Sequence, residues 1–84
     1  MSLNEQEAEA AVTRIWTEIG LRPTGPDDDF FDLGGQSLNL VQFLARVHDR
    51  YGVELPVDLL FEADLTVASA AGHLREAVLA GQRP

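Results

Sequence analysis

Asp29-Phe30-Phe31-Asp32-Leu33-Gly34-Gly35-Gln36-Ser37-Leu38, running on into Asn39-Leu40-Val41-Gln42-Phe43-Leu44-Ala45-Arg46-Val47-His48-Asp49-Arg50-Tyr51-Gly52, is where the chain passes from an aperiodic segment into a strictly periodic one. Ser37 stands directly before an apolar-periodic stretch that reaches Tyr51 with Gly52 behind it, which predicts a helix with Ser37 as N-cap and a C-terminal glycine. On a wheel of about 100° per residue with Ser37 at zero, Leu40, Phe43, Leu44, Val47 and Tyr51 fall at roughly 240° to 340° and form a core face. Asn39, Gln42, Arg46, Asp49 and Arg50 fall at roughly 120° to 220°, the pattern of an ordinary solvated face. Leu38, Val41 and Ala45 lie at roughly 40° to 100°, outside the core stripe and beside the serine. That second apolar patch is either covered by the first helix or the long loop, or left open as a docking surface.

Upstream, Ser2 followed by Glu5 matches a capping box, and Glu5, Glu7 and Glu9 set negative charge at the positive end of a helix dipole. Ala8, Val12, Ile15, Trp16 and Ile19 recur at helical period, and Gly20 supplies a stop. Residues 21–36 hold Pro23, Gly25, Pro26, Asp27-Asp28-Asp29 and Gly34-Gly35, which break any period; loops of this length are usually functional. Phe30, Phe31 and Leu33 are too apolar for a free linker and are expected to pin the loop onto the helices. Downstream, Pro56 opens a short helical segment at Val57–Glu62, and Thr66 caps a last helix carrying Val67, Ala70, Ala71, Leu74, Ala77 and Val78. No period-2 alternation or internal repeat is present. The expected fold is all-α: a small bundle of three long helices plus one short helix, with a long ordered loop between helices 1 and 2.

The 84 residues make one domain over 1–84, with a core of about residues 4–80 and a short polar tail at 81–84. An apolar content of 45% with 24% charged residues is that of a folded globule. A chain this small buries only about 60–65% of its unfolded surface, so a deep substrate pocket would compete with the core for side chains. Six arginines, no lysine and fourteen acidic residues give a formal net charge of -8, which repels nucleic acid and anionic lipid. There is no cysteine, hence no disulfide, thiolate or Cys-type zinc site. With no signal-peptide pattern and no apolar run near 20 residues, the expected location is cytoplasmic. Met1 just before helix 1 and the short tail fit a discrete protein, and fit a domain excised from a larger protein equally well.

For enzyme chemistry Ser37 needs a base within hydrogen-bond reach, and only His48 and His73 exist. His48 is eleven residues along the same helix, about 16 Å away, and His73 fits a surface or boundary position in the last helix. An EF-hand count from Asp27 puts Phe31, Asp32 and Leu38 where an oxygen ligand, glycine and glutamate are needed, so no metal site is expected and the acidic run is taken as a solvated loop segment. Two adjacent glycines exceed what a cap requires and leave the backbone bare for another protein's active site to approach Ser37.

These residues resemble the attachment motif of the acyl and peptidyl carrier protein family, D-x-F-F-x-L-G-G-x-S-L. The likeness continues through Tyr51-Gly52-Val53-Glu54-Leu55-Pro56, Leu60-Phe61-Glu62 and Thr66-Val67-Ala68, over nearly the whole chain. The resemblance implies that Ser37 receives a 4'-phosphopantetheine arm from coenzyme A, with Gly34, Gly35 and Gln36 as the motif around it. It implies a non-catalytic carrier, itself the substrate of a phosphopantetheinyl transferase, holding an aminoacyl, peptidyl or acyl group as a thioester. A helix N-terminus suits the phosphodiester, and tethering raises the cargo's effective concentration at each partner. Implied partners are the transferase and adenylation, condensation, acyltransferase, ketosynthase or thioesterase-type enzymes, which would dock on Leu38, Val41 and Ala45 with Leu59, Leu60 and Phe61 as a second rim. A monomer without nucleic-acid or membrane partners is expected. Gly34-Gly35 and Phe30-Phe31 lean toward the peptidyl type, hence nonribosomal peptide or hybrid peptide-polyketide biosynthesis. Gln36 before the serine and the extra residue in Asp64-Leu65-Thr66 depart from the common pattern and keep the polyketide-type acyl carrier as the alternative. An unmodified helical adaptor using the Leu38, Val41 and Ala45 patch is a third reading; a small hydrolase using Ser37 lacks its base.

Overall fold

α1 (Glu5–Glu18) is capped by Asn4, whose Oδ1 accepts the Glu7 N–H at 2.7 Å while Glu7 Oε1 accepts the Asn4 N–H at 3.0 Å. This capping box corrects the expected one at Ser2 and Glu5 by two residues; Ser2 itself lies outside the described residues. The computed structural model describes residues 3–62 and 64–81, with backbone alone at 59, 61 and 62. At its other end α1 closes in a Schellman turn. Gly20, at φ 99°, donates its N–H to the Thr17 carbonyl, and Leu21 reaches back to Trp16 at 2.9 Å.

α2 (Ser37–Tyr51), α3 (Val57–Glu62) and α4 (Val67–Gly81) complete an all-helical fold, with no strand among the described residues. Gly52 ends α2 in the left-handed region at φ 67°, donating to the His48 carbonyl at 2.8 Å. α4 starts at Thr66, as its residue type predicts: Thr66 Oγ1 accepts the Ser69 N–H at 3.0 Å and Ser69 Oγ accepts the Thr66 N–H at 2.9 Å. The next two donors of that helix, Val67 and Ala68, are taken by the carbonyls of Asp28 and Pro26. With Phe30 N–H bonding the Leu65 carbonyl at 2.7 Å, these bonds clip the loop before α2 onto the start of α4 around an isolated Asp29–Thr66 bridge.

α1 packs chiefly along α4, burying Ala8, Val12, Ile15 and Trp16 against Ala70, Ala71, Leu74 and Val78. α2 contributes Leu40, Phe43 and Val47, with Leu44 and Tyr51 half-buried, the face that its period predicts. Phe30 enters the same core from the loop. It meets Trp16 edge-to-face at 5.2 Å, and Trp16 meets Phe43 the same way at 6.0 Å. Such side chains each contribute about 1.5–3 kcal/mol on burial. Trp16 Nε1 finds no partner, a cost of about 1–3 kcal/mol that the ring's burial must exceed. Leu60 is 2% exposed and belongs to this core, which corrects its expected place on a docking rim: in the two-turn α3 it points inward. Leu59 and Phe61, proposed with it, have side chains outside the described set.

Candidate functional site

Ser37 is the first residue inside α2, not its cap. The capping position falls to Gln36, extended at φ -123° and ψ 175°, whose carbonyl accepts the Leu40 N–H at 3.0 Å. The Gln36 N–H is held by Asn39 Oδ1 at 3.0 Å. The serine is therefore fixed in helical backbone with its side chain exposed, one residue deeper than its type suggests.

The two glycines before it serve the fold. Gly34 adopts φ 93°, a conformation that disfavours any side chain. Gly35 has ordinary φ but no room: a Cβ there would stand 2.5 Å from Cδ1 and Cε1 of the buried Phe30 ring and 2.6 Å from its carbonyl oxygen. Gly35 N–H donates to that same oxygen at 3.0 Å. Close packing on Phe30 therefore requires a glycine at 35 on grounds of the fold alone.

Asp28 and Asp29 are likewise structural, correcting their reading as a solvated run. Asp29 Oδ1 accepts the N–H groups of Phe31 and Asp32 at 2.9 and 3.1 Å, while Oδ2 accepts that of Leu65 at 3.1 Å. Asp28 Oδ2 accepts from Thr24 N–H and Oγ1 and from Gly25 N–H. The Thr24 bonds foremost hold its carboxyl below the usual carboxylate range.

The first turn of α2 contains no acidic residue, whereas that of α1 contains Glu5 and Glu7. α1 offsets its own positive end; the first turn of α2 leaves that end without an acidic side chain, and an anion is favoured there. Arg46 and Arg50, expected on a solvated face, both reach Glu18 at the end of α1, Arg46 at 3.2 Å. The Arg50 hydrogen bond foremost, opposed by desolvation and aided by the charges of both arginines, lowers the Glu18 carboxyl. Asn39, also assigned to that face, is half-buried at the same seam.

Leu38 and Val41 are 68% and 62% exposed, and Ala45 is exposed with them, so neither the first helix nor the loop covers the patch. It continues into an open groove of about 370 Å³ between α2 and the segment leading into α3, lined by Leu44, His48, Glu54, Leu55 and Val57. His48 is eleven positions from Ser37, about 16 Å along the helix axis, and half-buried His73 lies on α4. The site offers a primary alcohol on a rigid positive helix end, bordered by apolar surface. That arrangement suits a group placed on the serine by another protein's active site.

Residues 10–74 match the family described as "Phosphopantetheine attachment site". The chain is 41% identical over 70 residues to surfactin synthase subunit 3 of Bacillus subtilis, covering 82% of this chain and 5% of that protein. It is 44% identical over 54 residues to phosphinothricin tripeptide synthetase PhsC of Streptomyces viridochromogenes, covering 63% of this chain and again 5% of the relative. Among solved structures it resembles, at TM-score 0.73 and 31% identity, a chain in the complex of the phosphopantetheine transferase Sfp with coenzyme A and a peptidyl carrier protein. That match covers 88% of this chain and 96% of the other.

Proposed function

The chain belongs to the phosphopantetheine attachment site family, and on that premise we propose that Ser37 is the residue that carries the arm. The family's function is that of a non-catalytic carrier bearing 4'-phosphopantetheine, and the carrier is a substrate of the transferase. The single observation that supports Ser37 is its exposed position at the start of an acid-free helix turn inside the matched residues.

The residues present fit that group. In loading, Ser37 Oγ gains a bond to a phosphorus of coenzyme A and gives up its proton to a base of the transferase. The bond to the nucleotide part of coenzyme A breaks. Around the resulting phosphodiester, the positive end of α2 favours the charge and no carboxylate of that turn opposes it. Bound there, the group supplies the thiol that this cysteine-free chain lacks, and with it the thioester that holds the cargo. Rigid placement of Ser37 fixes where the tether starts, and tethering raises the cargo's effective concentration at each partner.

The cargo is an aminoacyl or peptidyl group of nonribosomal peptide or hybrid peptide-polyketide assembly, with adenylation and condensation enzymes as partners. Likeness to a tripeptide synthetase and to a complex containing a peptidyl carrier protein supports this. Partners dock on Leu38, Val41 and Ala45 with Val57 across the groove, a surface bound more by apolar contact than by charge. Val57, the first residue of α3, and Leu55 before it border that surface.

Intact-protein mass spectrometry after incubation with coenzyme A and a promiscuous phosphopantetheinyl transferase tests the reading. The expected result is a gain of one phosphopantetheinyl group on the native chain and none on Ser37→Ala. A gain on the variant, or none on folded, previously unmodified native protein, overturns the assignment to Ser37.

A further inference from the structure

Asn39 bonds in two directions. Its Oδ1 accepts the N–H of Gln36, the cap of α2, at 3.0 Å, and its Nδ2 donates to the carbonyl of Ile19, the cap of α1, at 3.2 Å. A backbone N–H can only donate and a carbonyl only accept, so these two partners fix which way round the amide lies. The Ile19 carbonyl belongs to a helix end, where such groups lack intrahelical partners. One half-buried side chain therefore joins the backbone at the start of α2 to the backbone at the end of α1, reaching a carbonyl twenty residues before its own position. Arg46 and Arg50 tie the later turns of α2 to Glu18, the last residue of α1; Asn39 ties the end of α2 where Ser37 sits, two residues away.

We propose that Asn39 is a positioning residue for the modification of Ser37: by locking the first turn of α2 to α1, it sets the direction in which Ser37 Oγ meets the transferase. The proposal rests on Ser37 being the modified residue. Loading is a transfer between two proteins, and misplacing a reacting group by about 1 Å can cost on the order of a hundredfold in rate. The carboxamide is specific to the task. Aspartate would keep the acceptor for Gln36 but set oxygen against the Ile19 carbonyl oxygen, and alanine would lose both bonds.

The test is steady-state loading of the native chain, Asn39→Ala and Asn39→Asp by a phosphopantetheinyl transferase with coenzyme A, with a urea midpoint for each. Asn39→Asp keeps the Gln36 bond and adds an acid where the helix dipole favours one, so it folds even if Asn39→Ala does not. The expected result is a kcat about tenfold lower or more in each folded variant, with KM changed less than about twofold. For Asn39→Asp the loss should persist at about 1 M salt, where screening acts within roughly 3 Å. Loss of stability alone would not move kcat while the variant stays folded. Unchanged kcat in a folded variant, or an Asn39→Asp loss that vanishes in salt, overturns the proposal. Absence of loading on the native chain refutes the Ser37 assignment itself, a result distinguishable from either.

Discussion

Replacing Gly35 by alanine adds one methyl group where three atoms of Phe30 already stand. The new carbon would lie 2.5 Å from two ring carbons and 2.6 Å from the carbonyl oxygen, against about 3.5–4.0 Å for comfortable carbon contacts. The ring cannot swing aside, because Phe30 is fully buried with Trp16 at 5.2 Å and Phe31 at 5.3 Å. The oxygen cannot retreat without loosening its bond from the Gly35 N–H. Overpacking of this kind costs about 1–3 kcal/mol, and the weakened hydrogen bond adds about 1. The stiffer unfolded chain returns about 0.4–1 kcal/mol, leaving a net loss of roughly 1–3.5, centred near 2. A chain of this length has about 4–13 kcal/mol in all. Urea unfolding followed by the fluorescence of Trp16, the lone tryptophan, should show the midpoint falling by about 2 M for a slope near 1 kcal/mol/M. In a Phe30→Leu background the cost of Gly35→Ala should shrink and not vanish, since the carbonyl remains. A fall of less than about 0.5 M in the native background refutes the reasoning, because the loop would then have slack that the packing denies it.

Leu60→Ala should cost about 2–5 kcal/mol, as a buried leucine, while Val41→Asp on the exposed patch should leave stability within about 0.5 kcal/mol and weaken engagement by partner enzymes. Urea midpoints and a loading assay with an adenylating partner separate the two; equal stability losses would put Val41 in the core. For Glu18→Gln the sign follows from a carboxyl lowered by Arg50 and Arg46. Its contribution is fully present above the unfolded value near 4.5 and lost as pH falls through the lower folded value. The gap in urea midpoint between native and Glu18→Gln should therefore narrow from pH 7 to pH 3 and shrink with salt; a gap independent of pH would show that the charge is not what matters.

The helices were legible wherever a period of 3.6 had room to repeat. Leu40, Phe43 and Val47 mark the core face of α2 in the sequence, and Gly52 marks its end. The starts were less legible. Ser2 with Glu5 and Asn4 with Glu7 are equally good capping boxes, and nothing local chooses between them. At α2 serine is the better cap by type, yet glutamine takes the place because Asn39 holds its N–H. The six residues of α3 are too few for a period to say which way Leu60 faces. Polar residues with distant partners were least legible of all. Asp29 bonds Leu65 thirty-six residues on, and Arg46 and Arg50 meet Glu18 across the α1–α2 seam. A sequence wheel can class such side chains only as solvated.

Those distant bonds bear on how Ser37, in the carrier role proposed above, would meet more than one enzyme. Phe30 packs inward against Trp16 and leaves Gly35 no space for a methyl group. Asp29 is tied to Leu65, Asn39 to Ile19, and both arginines of α2 to Glu18. The contacts of Phe30, Asp29 and Asn39 hold the loop and the start of α2 from the bundle side and the two arginines hold its later turns, so the outward surface of Ser37, Leu38, Val41 and Ala45 takes no part in holding the fold. Rigidity and recognition then reside in separate side chains. Substitutions on the inward set should change stability or loading by the transferase for every cargo alike, whereas substitutions on the outward set should change which enzyme engages and leave the fold intact. A surface arranged in this way can adapt to a new partner without the placement of Ser37 having to be built again.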